Sequence, residues 1–169
     1  GAAQIPTAGP VCTLDGELAL ITANASQWSS AQTLMEWMRH DTSDVGLPQV
    51  LCVQEHRIKN QGLWSSAVRW SRQRGYELIG DFAEVTGDGP LESSGGVAVL
   101  SSLPAVKESS PARLQLPGHR VVTAKVNIGL PIPLYVISLY LVTSIGLAKD
   151  NIAILASLLS FLGGLDGPW

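Results

Sequence analysis

Two polar residues directly follow apolar segments, in positions where side chains could do chemistry. Asn24 comes after the apolar residues 17–23, and Glu55 comes after a second apolar segment at 50–53. Open sheets place ligand sites at the ends of adjacent strands, and a hard cation such as Mg²⁺ binds through one or two carboxylates together with water and substrate oxygens. The pair is therefore a candidate metal site, although position alone equally favours a solvent-exposed strand end without a ligand.

Short apolar segments bounded by polar or turn residues predict the strands that would position these side chains. Residues 17–23 predict a central strand that ends at Asn24, and 50–54 predict a second buried strand that ends at Glu55. Further strands are predicted at 76–80, 95–100, 120–127 and 134–141.

Three segments have helical periodicity. Ser29 and Gln32 form a capping box before a helix predicted over 30–39, whose apolar residues share one face. A second helix is predicted over 64–74 and a third over 144–162, each followed by a glycine suited to a helix end. The order of strands and helices predicts an α/β (α+β) domain with helices packed outside mixed sheets.

The composition is that of a folded protein. A hydrophobic fraction of 46% against 15% charged residues excludes disorder, and 169 residues fit one domain. Residues 1–16 predict a lead-in or linker end, and 17–169 the domain itself. The formal charge of −3 gives no global basic field, so contact with nucleic acid would have to be local. Cys12 and Cys52 lack CxxC spacing and suit a reducing compartment rather than a disulfide framework.

A long uncharged stretch near the C-terminus raises a membrane alternative. Residues 126–148 and 151–165 contain no charged side chain, so a membrane hairpin is conceivable. However, Pro131, Pro133 and the polar Ser138 interrupt the first half of the stretch. We therefore predict a buried strand followed by an outer helix.

Five short segments, taken in order, resemble motifs of the endonuclease/exonuclease/phosphatase superfamily. Residues 20–24 (LITAN) and 51–55 (LCVQE) look like the strands that end in its active-site Asn and in Gln-Glu. Residues 94–100 (SGGVAVL) are similar to its glycine-led strand, 119–122 (HRVV) to its Gly-Arg strand entry, and 136–140 (VISLY) to the strand with an active-site Tyr or His. Each match alone is weak, and the resemblance rests on their joint order.

The resemblance, which covers about 17–169, implies a two-sheet sandwich flanked by helices and the attack of water on a phosphodiester. It implies that Glu55 holds Mg²⁺ or Mn²⁺, that Asn24 helps to place the metal or the phosphate, and that Tyr140 contacts a phosphate oxygen. The Gln-Glu-His-Arg form of 54–57 is more similar to the nicking domains of mobile-element polyproteins than to lipid phosphatases.

The implied substrate and partner is accordingly nucleic acid, DNA rather than RNA, cut by an endonuclease. The domain would be monomeric within a longer polypeptide, with no membrane association, in an intracellular setting that includes the nucleus. A phosphoinositide-type phosphatase of the same superfamily is an alternative, because the loops that set specificity carry no readable signal.

Part of the family's catalytic pattern has no match. Its Asp-x-Asn motif normally follows a stretch similar to residues 165–169, and its closing Asp and His come later still. Asp166, His56 and His119 belong to other elements and do not replace them. We therefore expect a domain incomplete at its C-terminus and inactive alone, since no group remains to activate water. The alternative is a non-catalytic, truncated or degenerate copy that acts at most as an interaction module.

Other residues have a functional and an ordinary interpretation. Trp28 and Trp64 follow Asn24 and Glu55 closely enough to stack on bases, although packing is the commoner role of such residues. Three arginines near the end of the second predicted helix could contact phosphates, but the helix dipole also favours basic residues there. They are Arg69, Arg72 and Arg74.

Overall fold

The computed structural model describes residues 17–40, 47–87, 89, 92–114, 116–142, 146 and 148–169. Its helices are α1 (Trp28–His40), α2 (Gln61–Arg72) and α3 (Lys149–Leu162), with a 3-10 turn at Ala112–Leu114. Its strands are β1 (Leu20–Asn24), β2 (Val50–Gln54), β3 (Glu77–Gly80), β4 (Glu84–Val85), β5 (Ser93–Ser94), β6 (Val97–Ser101), β7 (Ala105–Glu108), β8 (Val121–Val126) and β9 (Leu134–Leu139). The predicted lead-in at 1–16, with Cys12, lies outside the described residues.

Four strands form the first sheet in the order β1, β2, β6, β3. β1 and β2 run parallel, with Asn24 level with Gln54, and β6 is antiparallel to both of its neighbours. β2 and β6 lie in the middle and are buried on both faces, which explains their uninterrupted apolar sequences.

The prediction of a central strand before Asn24 was wrong. β1 lies at the edge of the sheet as described, and Leu20 at its start is 47% exposed. Apolar composition reports burial on one face or the other, but it does not report how many neighbours a strand pairs with. The strand also begins at Leu20 rather than at residue 17.

The second sheet is antiparallel, in the order β7, β8, β9. It packs face to face with the first sheet through a core of small apolar residues: Val50, Val97, Val99, Val122, Ala124, Val126 and Val136. Cys52 lies in this core, and burial raises the pKa of its thiol to about 11. Such a thiol is protonated and unreactive at neutral pH.

The helices cover the outer faces of the sandwich. α1 and α2 pack on the first sheet through residues such as Ala31, Met35 and Ala67, while α3 packs on the second sheet through Leu158 and Phe161. The predicted α/β sandwich of two sheets flanked by helices is therefore confirmed. The strand and outer helix expected over 126–165 are β9 and α3, and no helix within the described parts of the chain is long and apolar enough to cross a bilayer.

Candidate functional site

Asn24, Glu55 and Tyr140 lie together at one end of the two sheets. Asn24 ends β1 and Glu55 directly follows β2, and the carboxyl ends of these parallel strands meet at the same edge. Tyr140 directly follows β9 of the second sheet. Asn24 Nδ2 donates to Glu55 Oε1 over 3.1 Å, and the Tyr140 hydroxyl also donates to the Glu55 carboxylate. The structure thus brings together the three side chains selected from the sequence.

The Glu55 carboxylate is surrounded by groups that stabilise its negative charge. The hydrogen bond from Tyr140 lowers the pKa of Glu55 most, and the Asn24 amide and the charges of Arg57 and Arg120 lower it further. Partial burial acts in the opposite direction but does not outweigh them. Arg57 Nη2 lies 3.8 Å from Glu55 Oε2. Glu55 is therefore ionised at neutral pH, as a metal-binding carboxylate must be.

The backbone around Glu55 is left-handed at two non-glycine residues. Glu55 has a φ of 58° and Arg57 a φ of 56°, conformations that cost about 1–3 kcal/mol each unless the surroundings hold them. Opposite them, Gly95 and Gly96 are also left-handed, with φ of 68° and 85°. The N–H groups of His56 and Arg57 donate to the carbonyl oxygens of Gly96 and Gly95 over 3.2 and 3.3 Å. These bonds join the loop after β2, which carries Glu55, to the glycine loop before β6, and so hold both loops in place.

His56 is a buried packing residue between these loops. Its Nδ1 accepts a hydrogen bond from the Ile58 N–H over 3.0 Å, and its ring packs near that of Trp64 with centroids 5.8 Å apart. Burial is the main cause that lowers the pKa of His56 to about 4, so the ring is neutral at physiological pH. The ring nitrogen that accepts in this neutral form is therefore already occupied by a backbone group.

A row of polar side chains joins the two sheets just below the site. Gln54 Nε2 donates to Thr22 Oγ1 and to Ser138 Oγ, each over 3.1 Å, and Ser138 Oγ lies within hydrogen-bond distance of the Val53 carbonyl oxygen. Ser138 is fully buried. These bonds link β1, β2 and β9 within two residues of Asn24, Glu55 and Tyr140, so they fix the spacing of the site. The sequence showed Ser138 only as a polar break in an apolar stretch.

Arg120 is a further residue that the sequence analysis left without a role. It is almost fully buried, its Nη2 donates to Ser94 Oγ over 3.2 Å, and its guanidinium lies 5.1 Å from the centre of the Tyr140 ring. Its carbonyl oxygen accepts a hydrogen bond from the Tyr140 N–H over 2.9 Å. Arg120 therefore contacts Tyr140 through both its side chain and its backbone, and these contacts help to position the tyrosine. The available signal was its place in the Gly-Arg-like segment.

The other acidic and histidine candidates have partners elsewhere. His119 Nε2 lies 3.4 Å from a Glu84 carboxylate oxygen, and Asp166 accepts from the Tyr135 hydroxyl over 2.5 Å. His40 lies exposed in the last turn of α1. Within the described ranges, no group of three or more His, Cys, Asp or Glu side chains could hold a metal ion.

Trp64 and two of the arginines at the end of α2 have structural contacts. The Trp64 ring lies 6.0 Å from that of Phe82, and a Cβ at Gly80 would lie 2.8 Å from it. Arg72 pairs with Glu77 over 3.3 Å, and Arg74 pairs with Glu36. The ordinary interpretation therefore accounts for these residues.

A cleft of about 450 Å³ opens beside the Glu55 loop, between the beginning of α1 and one face of α2. Arg57 contributes to its lining from the loop, and Leu63, Ser66 and Trp70 line it from α2. Trp28, the first residue of α1, forms another part of the wall. Its ring meets that of Trp70 edge to face, at 5.8 Å and 83°. Of the two tryptophans that the sequence suggested as stacking residues, Trp28 lines this cleft and Trp64 does not.

Solved structures with the same fold are enzymes. An AP endonuclease from Archaeoglobus fulgidus matches with a TM-score of 0.60 and 17% identity over 89% of this chain and 53% of its own. The 3' phosphatase NExo from Neisseria, bound to a product DNA hairpin, matches at 0.59 and 18% over 86% and 51%, and the AP endonuclease LMAP from Leishmania major at 0.58 and 17% over 88% and 49%.

No protein-family profile and no curated protein sequence matches the chain. The chain therefore shares the fold of these solved structures, the fold that its resemblance to the endonuclease/exonuclease/phosphatase superfamily implied, and it spans about half of their length.

Proposed function

We propose that this chain supplies the metal-binding side of a Mg²⁺- or Mn²⁺-dependent phosphodiesterase that cuts nucleic acid, as an endonuclease with DNA as its substrate. The observation that supports it most is the convergence of Asn24, ionised Glu55 and Tyr140 at one end of the sandwich. The fold adds weight, because the structures that share it include AP endonucleases and a 3' phosphatase bound to DNA.

The donor atoms suit a hard divalent cation. Mg²⁺ uses one or two protein carboxylates and completes its coordination with water and phosphate oxygens, so a single ionised Glu55 fits this requirement. Asn24 Oδ1 accepts a hydrogen bond from the Ser26 N–H over 3.2 Å, which orients the amide so that its Nδ2 faces Glu55. When bound, the ion would act as a Lewis acid on the phosphoryl oxygens.

The chain's own side chains would bind and orient the substrate phosphate. Glu55 would hold the ion, and Asn24 would fix the carboxylate from one side. Once an ion neutralises Glu55, the Tyr140 hydroxyl could turn its single proton from that carboxylate to a phosphate oxygen, and the positive charges of Arg57 and Arg120 favour an anion at the same place. Because these groups are held by the sheet ends and by the row below them, they need little reorganisation on binding.

We also propose that the 169-residue chain alone does not hydrolyse phosphodiesters measurably. Hydrolysis needs a group that takes a proton from water, and this step typically contributes about 100- to 10,000-fold. His56 is buried with its accepting nitrogen occupied, and His40 and His119 pair with Glu36 and Glu84 rather than with Glu55. Among the residues that the structure describes, none beside Glu55 is suited to that role.

Metal binding tests the proposal without requiring catalysis. Mn²⁺ titrated into the chain and followed by electron paramagnetic resonance should show one weak site, and Glu55→Gln should abolish it. Glu77→Gln is the matched control, because Glu77 is an exposed carboxylate that pairs with the exposed Arg72. Mn²⁺ binding that Glu55→Gln leaves unchanged would contradict the proposal.

Activity provides a second test. The chain incubated with supercoiled plasmid and Mg²⁺ should leave it intact, whereas a longer polypeptide that contains the chain and a suitable base should nick it in a Glu55-dependent way. Nicking by the 169-residue chain that survives Glu55→Gln would show that the assigned site is wrong. A longer polypeptide that neither binds Mn²⁺ nor nicks would instead support a non-catalytic module.

A further inference from the structure

We infer that the cleft between α1 and α2 is a subsite for an unpaired nucleobase of the bound strand. The inference rests on the proposed function, since it assigns the occupant to the nucleic acid whose phosphate would lie at Glu55. It goes beyond that function because it names a second place of contact, outside the sheet ends, and a part of the substrate other than the phosphate.

The size and walls of the cleft suit a planar ring. Its volume of about 450 Å³ lies within the range of about 300–1,000 Å³ found for small-ligand sites. The wall from α2 consists of residues spaced three or four apart, which is one face of the helix, and the half-exposed Leu63 belongs to it. Trp28 and Trp70 provide the aromatic surface.

The two tryptophans are held in place by contacts that leave the cleft open. Trp70 is covered by the Arg74 guanidinium, 3.9 Å from its ring centre, and Trp28 meets it edge to face. Arg74 is itself paired with Glu36. Rigid aromatic side chains lose little conformational entropy when they stack on a ligand, which is why aromatic platforms serve single-strand binding.

Polar groups around the aromatic wall can recognise a base edge. Gln27 and Gln32 line the side formed by α1, and Ser66 lines the side formed by α2. An amide both donates and accepts, so a glutamine can pair with the edge of any base. The first turn of α1 contains no acidic residue, so the phosphate next to the base would meet no carboxylate there.

Arg57 connects the cleft to the candidate metal site. It lines the cleft, and its Nη2 lies 3.8 Å from Glu55 Oε2, so a nucleotide in the cleft would adjoin a phosphate at Glu55. Arg57 Nε is buried and has no hydrogen-bond partner in the described structure. A buried polar group in this state calls for an explanation, and a guanidinium placed for a nucleotide rather than for the fold provides one.

The test compares two probes in metal-free buffer. One is a short fluorescent oligothymidylate, and the other is an abasic oligomer of the same length, with the same phosphates but no bases. Fluorescence anisotropy should show that the chain binds the first probe about 5- to 100-fold more tightly, as expected for base stacking on an aromatic side chain. Both measurements are made on the 169-residue chain.

Two substitutions should remove this preference, and each has a matched control. Trp28→Leu removes the aromatic face, whereas Trp37→Leu makes the same change at an exposed position of α1 outside the cleft. Ser66→Leu narrows the cleft from an exposed position without touching the core, and Ser65→Leu is its neighbour outside the lining. Circular dichroism identifies any variant that fails to fold. If Trp28→Leu fails to fold, the comparison of Ser66→Leu with Ser65→Leu tests the subsite instead.

The outcomes separate this inference from the proposed function. Loss of base preference in the cleft variants, with both controls unchanged, supports the subsite. Equal affinity for the two probes, or equal losses in the control variants, overturns it, and Glu55-dependent Mn²⁺ binding would then leave the proposed metal site standing. If neither probe binds, both the subsite and the nucleic-acid substrate are overturned.

Discussion

Gly96 lies against the imidazole of His56, so closely that a Cβ on this glycine would lie 2.6 Å from the ring carbon Cε1. The two residues belong to the Gln-Glu-His-Arg and Gly-Gly segments, which the sequence presents as separate motifs. In the structure the two segments are in contact, and the His56 ring fits only because residue 96 has no side chain. The ring in turn packs beside the left-handed residues that carry Glu55.

Gly96→Ala should therefore destabilise the fold by more than a left-handed alanine alone. We expect a loss of at least about 2 kcal/mol in the free energy of unfolding, from backbone strain together with the clash against a buried ring. Gly75→Ala is the control, because Gly75 has a similar φ of 81° but open space around its Cβ position. It should lose about 1–2 kcal/mol. Equal losses in urea denaturation would show that the His56 contact is unimportant.

The buried neutral His56 predicts that stability falls on mild acidification. The unfolded chain binds a proton at this residue below pH 6.5, whereas the folded chain does so only near pH 4. The stabilisation is present above pH 6.5 and is lost as the pH falls towards 4, by about 3 kcal/mol in total. Unfolding measured between pH 7 and pH 4 should show a shallower dependence in His56→Asn. Parallel curves for the two proteins would contradict the assignment.

Tyr140→Phe should make metal binding more sensitive to acid. The hydroxyl of Tyr140 is the main group that lowers the pKa of Glu55, so its removal raises that pKa and lets protons compete with the metal at higher pH. When Mn²⁺ affinity is measured against pH, the pH at which half of the affinity is lost should move up towards neutral pH. Tyr135→Phe removes a comparable hydrogen bond to Asp166 and should leave the profile unchanged. If the pH dependence of Tyr140→Phe matches that of the unchanged chain, Tyr140 does not take part in the metal site.

Ser138→Ala should weaken both the fold and the site. The change deprives the partly buried Gln54 amide of one of its two acceptors, which should cost about 1 kcal/mol of stability. It should also weaken Mn²⁺ binding, because the row that spaces Glu55 and Tyr140 is broken. Ser101→Ala, at a buried serine whose hydroxyl bonds to the Leu103 backbone, should reduce stability and leave Mn²⁺ binding unchanged. Intact Mn²⁺ binding in Ser138→Ala would limit its role to the fold.

Local sequence signals predicted the middle of the first sheet well. β2 and β6 are continuous apolar segments because they are buried on both faces, and the change from apolar to polar placed Asn24 and Glu55 at strand ends. The edge position of β1 depends on which strands pair across the chain, which no local pattern encodes. The same holds for the bond between Gln54 and Ser138, which are 84 positions apart.

Helix starts were less accurate than helix existence. α2 begins at Gln61 instead of 64, because Asn60 caps it by accepting a hydrogen bond from the Leu63 N–H. This cap was readable from the sequence, but apolar periodicity starts later than the helix does. α3 begins at Lys149 rather than at 144. The left-handed backbone of Glu55 had no sequence signal, because it is imposed by the facing glycines.

Because β1 lies at the edge of the described sheet, the strands that lead to Asn24 and Glu55 should differ in how readily their backbone hydrogen bonds open. Amide groups of β1 that point away from β2 have no strand beside them in the described sheet, so they can exchange hydrogen with solvent through fraying of this strand alone. Amides of β2, enclosed between β1 and β6, are expected to exchange only through larger openings of the sandwich. The strand that ends at Asn24 should therefore open locally, whereas the strand that leads to Glu55 should open more rarely.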